Sequence, residues 1–237
     1  IVGNTGSGKS ETLAKIIEET ASATNCNIVI FDIHGDYSQL SYADNIKIGV
    51  DVPFASWFLG FQSLVSNILK VKEESTVLMS ALRKAFYEQV PKGNENKPCR
   101  FDFYTAMKYI RNLNTENVGT GEFFKTGDKE GQEKTVKGEY NGKLSSLVSS
   151  MENLFSDRRY EFLFLDEEQD ALNIFLNRII GGDKPVKNID LSGIPHDIAV
   201  LIIGAITKLI YNIQIMQKDI RPITLVCDEA HVYIPTD

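Results

Sequence analysis

A glycine-rich segment at the start of the chain has the spacing of a phosphate-binding loop. Four residues separate Gly3 from the run Gly8, Lys9 and Ser10, which fits the pattern G-x-x-x-x-G-K-S at each fixed position. Glycines let backbone N–H groups approach phosphate oxygens, and the helix that follows presents its positive end to them. The spacing predicts binding of a nucleoside triphosphate, with a chance glycine-rich turn as the alternative.

The chemistry of the loop assigns a role to each of its polar side chains. Lys9 is predicted to contact the β- and γ-phosphates and to act in catalysis, and the hydroxyl of Ser10 to coordinate Mg²⁺. ATP and Mg²⁺ are therefore the expected cofactors. The residues predicted to bind the nucleotide are Asn4, Thr5, Gly6, Ser7, Gly8, Lys9, Ser10 and Glu11.

Two adjacent carboxylates near the other end of the chain are candidates for the second half of the same site. Asp228 ends an apolar, strand-like segment at 223–228, and Glu229 follows it. Successive residues at a strand end point in different directions, so the two side chains can take separate roles. We expect Asp228 to hold the Mg²⁺ shell and Glu229 to act as general base toward water. Solvated surface carboxylates are the alternative.

Short apolar segments alternate with helical patterns in the first and last parts of the chain. This alternation predicts an α/β fold with a mostly parallel sheet covered by helices. Helices are predicted at 9–24, 169–180 and 195–217, strands at 27–32, 187–191 and 223–228, and a further core segment at 161–165.

The middle of the chain has a different pattern. Its apolar spacing is mostly helical, with helices predicted at 54–69, 73–90 and 101–113. The segment 114–142 is rich in Gly, Lys, Glu, Thr and Asn, which predicts a mobile loop. We therefore expect an ATPase core formed by 1–51 and 161–237, with 52–160 as a helical insertion.

Composition narrows the classes of function. Hydrophobic residues make up 43% and charged residues 24% of the chain, which is typical of a globular protein, and the net charge is −7. This charge argues against a surface coated by nucleic acid, although a narrow basic channel in an assembly remains compatible with it. Three widely spaced cysteines favour free thiols in a reducing cytoplasm.

Apolar run length and the first residue allow two further expectations. The longest apolar run, 198–215, is interrupted by Lys208, Asn212 and Gln214, so we expect no membrane span. The sequence starts at Ile1 inside a motif, so we expect it to be part of a longer protein.

Four segments together resemble the HerA family, hexameric DNA-translocating ATPases related to FtsK. The element Phe-Asp-Ile-His-Gly-Asp-Tyr at 31–37 is more specific than the phosphate loop, which many folds share. Asp36 departs from the family, which usually carries Glu there. The other segments are the phosphate loop at 3–10, Ile-Asp-Leu-Ser-Gly at 189–193 and Asp-Glu-Ala-His at 228–231, and 157–164 is also similar.

The resemblance implies a RecA-like P-loop ATPase that assembles into a homo-oligomer, expected to be a hexamer. It implies translocation of DNA together with a nuclease such as NurA in DNA end processing. HerA-like ATPases also pair with antiphage effectors, so a scaffold for a sirtuin-like or nuclease effector is the second hypothesis. The family's arginine finger, polar sensor and N-terminal barrel are expected outside residues 1–237.

Several polar residues remain as weaker candidates. Asp32, His34 and Asp36 are expected around the triphosphate, with a metal site or a plain turn at Gly35 as alternatives. His231 is expected to couple the nucleotide state to a subunit interface, or to be a hydrogen-bonded structural histidine.

Each of the remaining basic candidates has two interpretations. Arg159, with Arg158 beside it, is expected either to reach a phosphate or neighbouring subunit or to be solvated. Four lysines of the 114–142 segment either contact DNA phosphates or belong to a solvated loop, because glutamates are interleaved with them. They are Lys125, Lys129, Lys134 and Lys137.

Overall fold

The computed structural model describes residues 8–23, 25–90, 100–164, 171–216 and 221–230. The chain forms two compact units, one of Ile1–Ala55 with Leu165–Asp237 and the other of Ser56–Phe164. Whether the predicted core and insertion are separate folding domains stays a prediction.

Helices and strands alternate irregularly along the chain. They are α1 (Lys9–Ala23), β1 (Asn27–Asp32), β2 (Ala43–Lys47), a 3₁₀ helix (Ser56–Leu59), α2 (Gly60–Ser63), a π-helix (Leu64–Ile68), α3 (Thr76–Tyr87), α4 (Phe103–Thr115), β3 (Asn117–Phe123), β4 (Glu133–Lys137), α5 (Ser145–Ser156), a second 3₁₀ helix (Arg158–Leu163), α6 (Ala171–Ile179), β5 (Val186–Asp190), α7 (His196–Met216) and β6 (Ile223–Cys227).

A parallel four-stranded sheet organises the first unit. Its strand order is β2-β5-β1-β6, and all three pairings are parallel. All six residues of β1 are buried, as expected for an internal strand of a sheet covered on both faces. The α/β fold with a parallel sheet is confirmed.

The register of this sheet brings three carboxylates together at the C-terminal ends of its strands. Asp32 pairs with Asp190 at the ends of β1 and β5, and Phe31 pairs with Cys227, the residue before Asp228. Because the C-terminal ends of parallel strands lie on the same side of a sheet, a ligand crevice is expected there.

One helix of this unit packs on the sheet through a small apolar cluster. Ile17 of α1 is 2% exposed and packs with a cluster that holds both β1 and the loop after it. The other buried members are Ile28, Ile30, Tyr37, Ala43 and Val186. This packing places the first turn of α1 near the C-terminal ends of the strands.

The long helix α7 bears on the expectation that the chain has no membrane span, which stays a prediction. It has 21 residues, and its best 18-residue window has a mean hydropathy of 1.9 with 33% of that window buried, so by length and composition it is able to cross a membrane. The polar residues at 208, 212 and 214 lie within this helix and do not end it. A core helix passes the same test, and one such helix is weak evidence of a span.

The second unit is built mainly from helices that share an aromatic core. Phe86 of α3 contacts Phe101 edge-on with ring centroids 4.7 Å apart, and Phe103 of α4 packs on Phe164 at 4.6 Å. The carboxylate of Asp102 accepts hydrogen bonds from two backbone N–H groups of the first turn and caps α4. Helices α3 and α4 therefore confirm the predicted helical pattern.

Two predicted elements of the middle segment are wrong in detail. A continuous helix at 54–69 is replaced by the 3₁₀, α and π segments, because Gly60 at their first junction adopts a φ of 77°. The apolar segment at 161–165, predicted to belong to the core, lies in the second unit as far as Phe164, and its residues up to Leu163 form the end of the second 3₁₀ helix. The Asp157 carboxylate starts this helix by accepting from the N–H of Arg159.

The segment 114–142 is a β-hairpin, so the loop prediction is wrong about its structure. β3 and β4 pair antiparallel, with Val118 opposite Val136 and an irregularity between Gly119 and Phe123. All of β3 is exposed, so burial of aliphatic residues does not form it. Backbone pairing and cross-strand polar contacts form it instead, as between Lys134 Nζ and Glu122 Oε2 at 3.0 Å.

Candidate nucleotide-binding site

The first turn of α1 carries the described part of the phosphate loop. Gly8 has a φ of 76°, in the left-handed region that glycine adopts without strain. Its carbonyl accepts hydrogen bonds from the N–H and the hydroxyl of Thr12, which starts the helix. Lys9 and Ser10 follow in the first turn and are half-buried, and Glu11 is exposed. The predicted contacts of Asn4, Thr5, Gly6 and Ser7 lie outside the described residues.

A side-chain hydrogen bond joins the two ends of the chain at this point. The hydroxyl of Ser10 donates to Asp228 Oδ2 over 3.2 Å, although the two residues are 218 positions apart. A hydroxyl oxygen beside a carboxylate offers the hard oxygen ligands that Mg²⁺ prefers. The two residues predicted to hold Mg²⁺ therefore lie side by side and fit that ion.

Two more donors hold the Asp228 carboxylate. The phenol of Tyr37 donates to Oδ2 over 2.6 Å, and the backbone N–H of Glu229 donates to Oδ1 over 2.9 Å. Burial of Tyr37, and next its hydrogen bond to Asp228, raise the pKa of the phenol well above its usual range. The phenol therefore stays protonated and remains a donor at neutral pH.

Asp32 organises the loop that carries Tyr37. Its carboxylate is 1% exposed. Oδ1 accepts from the N–H groups of Gly35 at 2.7 Å and Asp36 at 3.0 Å, and Oδ2 accepts from the N–H of Tyr37 at 3.0 Å and from Nδ2 of Asn188 at 3.2 Å. The sequence predicts Asp32 beside the triphosphate, whereas four donors of the protein occupy it here. We therefore infer that Asp32 holds the backbone of residues 33–37 in place.

The same loop turns at Gly35 and exposes the two other polar candidates. Gly35 has a φ of 81°, and a Cβ atom there would lie 3.4 Å from the side chain of Ser192. His34 and Asp36 are exposed. Across the described residues, no group of three or more His, Cys, Asp and Glu side chains is arranged to hold a metal ion. A hydroxyl and one carboxylate acting with a triphosphate do not require such a group.

Glu229, the predicted general base, has an unusual backbone conformation. Its φ is 51°, and Lys70 is the other non-glycine residue with a positive φ in the described part of the chain. Such a conformation costs of the order of 1 kcal/mol and is common at functional sites. Asp228 and Glu229 therefore occupy a constrained turn directly after β6.

The remaining candidates lie elsewhere or outside the described residues. Arg159 is exposed in the second unit, where its guanidinium pairs with Asp157 at 2.5 Å and lies over the ring of Tyr160. These hydrogen bonds lower the pKa of Asp157. Arg158 beside it is exposed. His231 is outside the described residues, and a role for it stays a prediction.

Tyr37 and Asn188 are parts of the site to which the sequence patterns assign no role. Asn188 is fully buried, and its Nδ2 lies within hydrogen-bonding distance of Asp32 Oδ2 and of Asn45 Oδ1, at 3.2 and 3.1 Å. Tyr37 closes the specific element at 31–37, which is the one signal that could have identified it.

Comparison with known proteins adds a family to this geometry. No curated protein matches the sequence. A family model described as "Helicase HerA, central domain" matches residues 1–210 and thus most of the chain. The match ends before β6, so the roles of Asp228 and Glu229 depend on the geometry described above. The chain belongs to the HerA helicase central-domain family, with the RecA-like P-loop α/β fold and the ATPase character of that family.

Proposed function

We propose that this chain binds ATP with Mg²⁺ and hydrolyses it as one subunit of a ring-shaped HerA-like DNA translocase. The hydrogen bond between Ser10 and Asp228 carries the proposal, since it joins the phosphate-loop helix to the acidic turn after β6. In P-loop ATPases the residues at these two positions hold Mg²⁺, and Ser10 and Asp228 would do so here.

The existing contacts suit the binding step. Ser10 donates its only hydroxyl hydrogen to Asp228, so that bond does not use the lone pairs of Oγ, which can bind a cation. Asp228 is held by two other donors and can accept a hydrogen bond from a metal-bound water. Mg²⁺, when bound, supplies charge that neutralises the β- and γ-phosphates. Lys9 adds a second positive charge at the same phosphates.

Glu229 supplies the proton acceptor for hydrolysis. Its carboxylate takes a proton from the water that attacks the γ-phosphorus, and the bond to the β-phosphate oxygen breaks. Positioned general bases contribute about 10²- to 10⁴-fold to such rates. The half-buried, constrained position of Glu229 after Asp228 supports this role.

ATPase rates of the full-length protein test the proposal. We expect DNA to stimulate hydrolysis, Glu229→Gln to lower kcat by about 10²-fold or more, and Lys9→Ala to abolish activity. Glu19→Gln and Lys15→Ala are matched controls, because both residues are exposed on α1 and the ion pairs of Lys15, with Glu18 at 3.0 Å and Glu19 at 3.9 Å, lie at the surface. Rates unaffected by Lys9→Ala and Glu229→Gln would sink the assignment.

Membership of the family also supports a proposal for the oligomeric assembly and for its partners. We propose a cytoplasmic hexamer that encloses DNA and works with a nuclease such as NurA in end processing. The free thiols of Cys26 and Cys227 fit a reducing compartment. Native mass measurement and co-purification test these points. A sirtuin-like or nuclease defence effector that stays active with Glu229→Gln would favour the scaffold hypothesis instead.

A further inference from the structure

We propose that Tyr37 is a positioning residue for magnesium, whose phenol fixes the Asp228 carboxylate in the orientation that receives the metal's water shell. This inference rests on the proposed function of the Ser10 and Asp228 site. It gives a specific task to the last residue of the 31–37 element.

The first observation is the geometry at Asp228. Tyr37 Oη lies 2.6 Å from Oδ2, the oxygen that also accepts from Ser10 at 3.2 Å. A donor to this oxygen and the backbone N–H of Glu229 on the other oxygen together restrict rotation of the carboxylate. Partners that orient a carboxylate in this way tune metal binding without touching the metal.

The second observation is that the phenol itself is fixed from both ends. Tyr37 is 1% exposed, and its ring packs in the cluster with Ile17, Ile28 and Ile30. Its N–H donates to Asp32, a carboxylate that also accepts from Asn188 of β5. Two strands and one helix therefore hold the hydroxyl in place, which a passive packing tyrosine would not require.

A purely structural role for the hydrogen bond between Tyr37 and Asp228 predicts a different result. Buried tyrosines usually find some acceptor, and Asp228 would then serve only to satisfy the phenol. Loss of that bond would lower thermal stability and leave the dependence of nucleotide binding on magnesium unchanged. The magnesium dependence therefore separates the two roles.

The experiment uses the full-length protein and a fluorescent ATP analogue. Tyr37→Phe removes only the hydroxyl. Tyr42→Phe is the matched control, because the phenol of Tyr42 donates to the carbonyl of Ala14 at 2.7 Å in the same unit. Binding of the analogue is titrated with MgCl₂ and repeated in EDTA, and the melting temperature of each variant is recorded.

For Tyr37→Phe we expect the half-saturating Mg²⁺ concentration to rise about tenfold or more, within the range seen for partners of metal ligands. Binding in EDTA should stay at the wild-type level, and Tyr42→Phe should leave both quantities unchanged. An unchanged half-saturating concentration in Tyr37→Phe would overturn the proposal. Wild-type protein that binds the analogue equally with and without Mg²⁺ would instead contradict the proposed function.

A second variant covers the case in which Tyr37→Phe does not fold. Asp32→Asn keeps the phenol and replaces one acceptor oxygen by an amide nitrogen, which loosens the backbone of Tyr37. The same titration should then show a smaller rise in the half-saturating Mg²⁺ concentration. A folded Asp32→Asn protein with wild-type magnesium dependence would also overturn the inference.

Discussion

At the scale of single residues, the Asp228 carboxylate joins parts of the chain that are far apart in sequence. It accepts hydrogen bonds from Ser10, Tyr37 and the N–H of Glu229. Motif spacing predicts Ser10 and Asp228 as partners, because their chemistry is shared by many phosphate-loop enzymes. The contact with Tyr37 is not predictable in the same way, because no motif assigns a partner to its phenol, 191 positions away from Asp228.

The backbone conformation of Gly35 leads to a prediction about stability. Its φ of 81° and the close approach of Ser192 leave no unstrained place for a side chain. We expect Gly35→Ala to lower the free energy of unfolding by about 1–2 kcal/mol and to loosen the loop that carries Tyr37. Urea unfolding measures the change.

Gly204 provides a control of opposite sign. It is exposed in α7, and a Cβ atom there would meet nothing within 4 Å. Gly204→Ala should therefore raise the free energy of unfolding by about 0.5–1 kcal/mol. Equal effects of the two changes would refute the requirement for glycine at position 35.

At the scale of elements, the sequence predicts well where burial decides the structure. β1 has the predicted bounds, because an uninterrupted β-branched and aromatic run suits an internal parallel strand. Prediction fails where polar contacts or backbone geometry decide instead. The hairpin of β3 and β4 is fully exposed along β3, and the segment at 54–69 is broken at Gly60.

β5 contains a buried lysine that gives a pH prediction. Lys187 is 2% exposed, and its Nζ lies 3.4 Å from Asn27 Oδ1. Burial lowers its pKa from the ordinary 10.5, an effect that Asp44 partly offsets and Arg221 reinforces. Between the lowered and the ordinary pKa the unfolded chain binds more protons, so this residue's contribution to stability rises with pH in that interval.

Lys187→Met tests this contribution by urea unfolding at several pH values. The free energy of unfolding of the wild type, relative to the variant, should increase from pH 7 toward pH 10. Lys129→Met, an exposed change in the hairpin segment, corrects for the loss of one positive charge. A difference that stays constant over this range would contradict the buried, charge-destabilised state of Lys187.

At the scale of the whole molecule, the net charge of −7 restricts how the protein meets DNA. A surface of this charge does not attract a phosphate backbone, so we expect contacts to be confined to a local basic channel in the assembled ring. Membership of the HerA family supports a ring, and that ring would bring neighbouring subunits to each nucleotide site. In the proposed function, Lys9, Ser10 and Asp228 hold the metal nucleotide of one subunit, and Glu229 supplies the carboxylate that activates water.

We propose that Ser10 and Asp228 bind the metal nucleotide and that Glu229 activates water for its hydrolysis. The most direct measurement is the identity of the nucleotide retained by the full-length protein after incubation with ATP and Mg²⁺, determined by chromatography of the denatured sample. We predict ADP in the wild type and intact ATP in Glu229→Gln. An equal fraction of ADP in both proteins, with equal total nucleotide bound, would contradict the assignment.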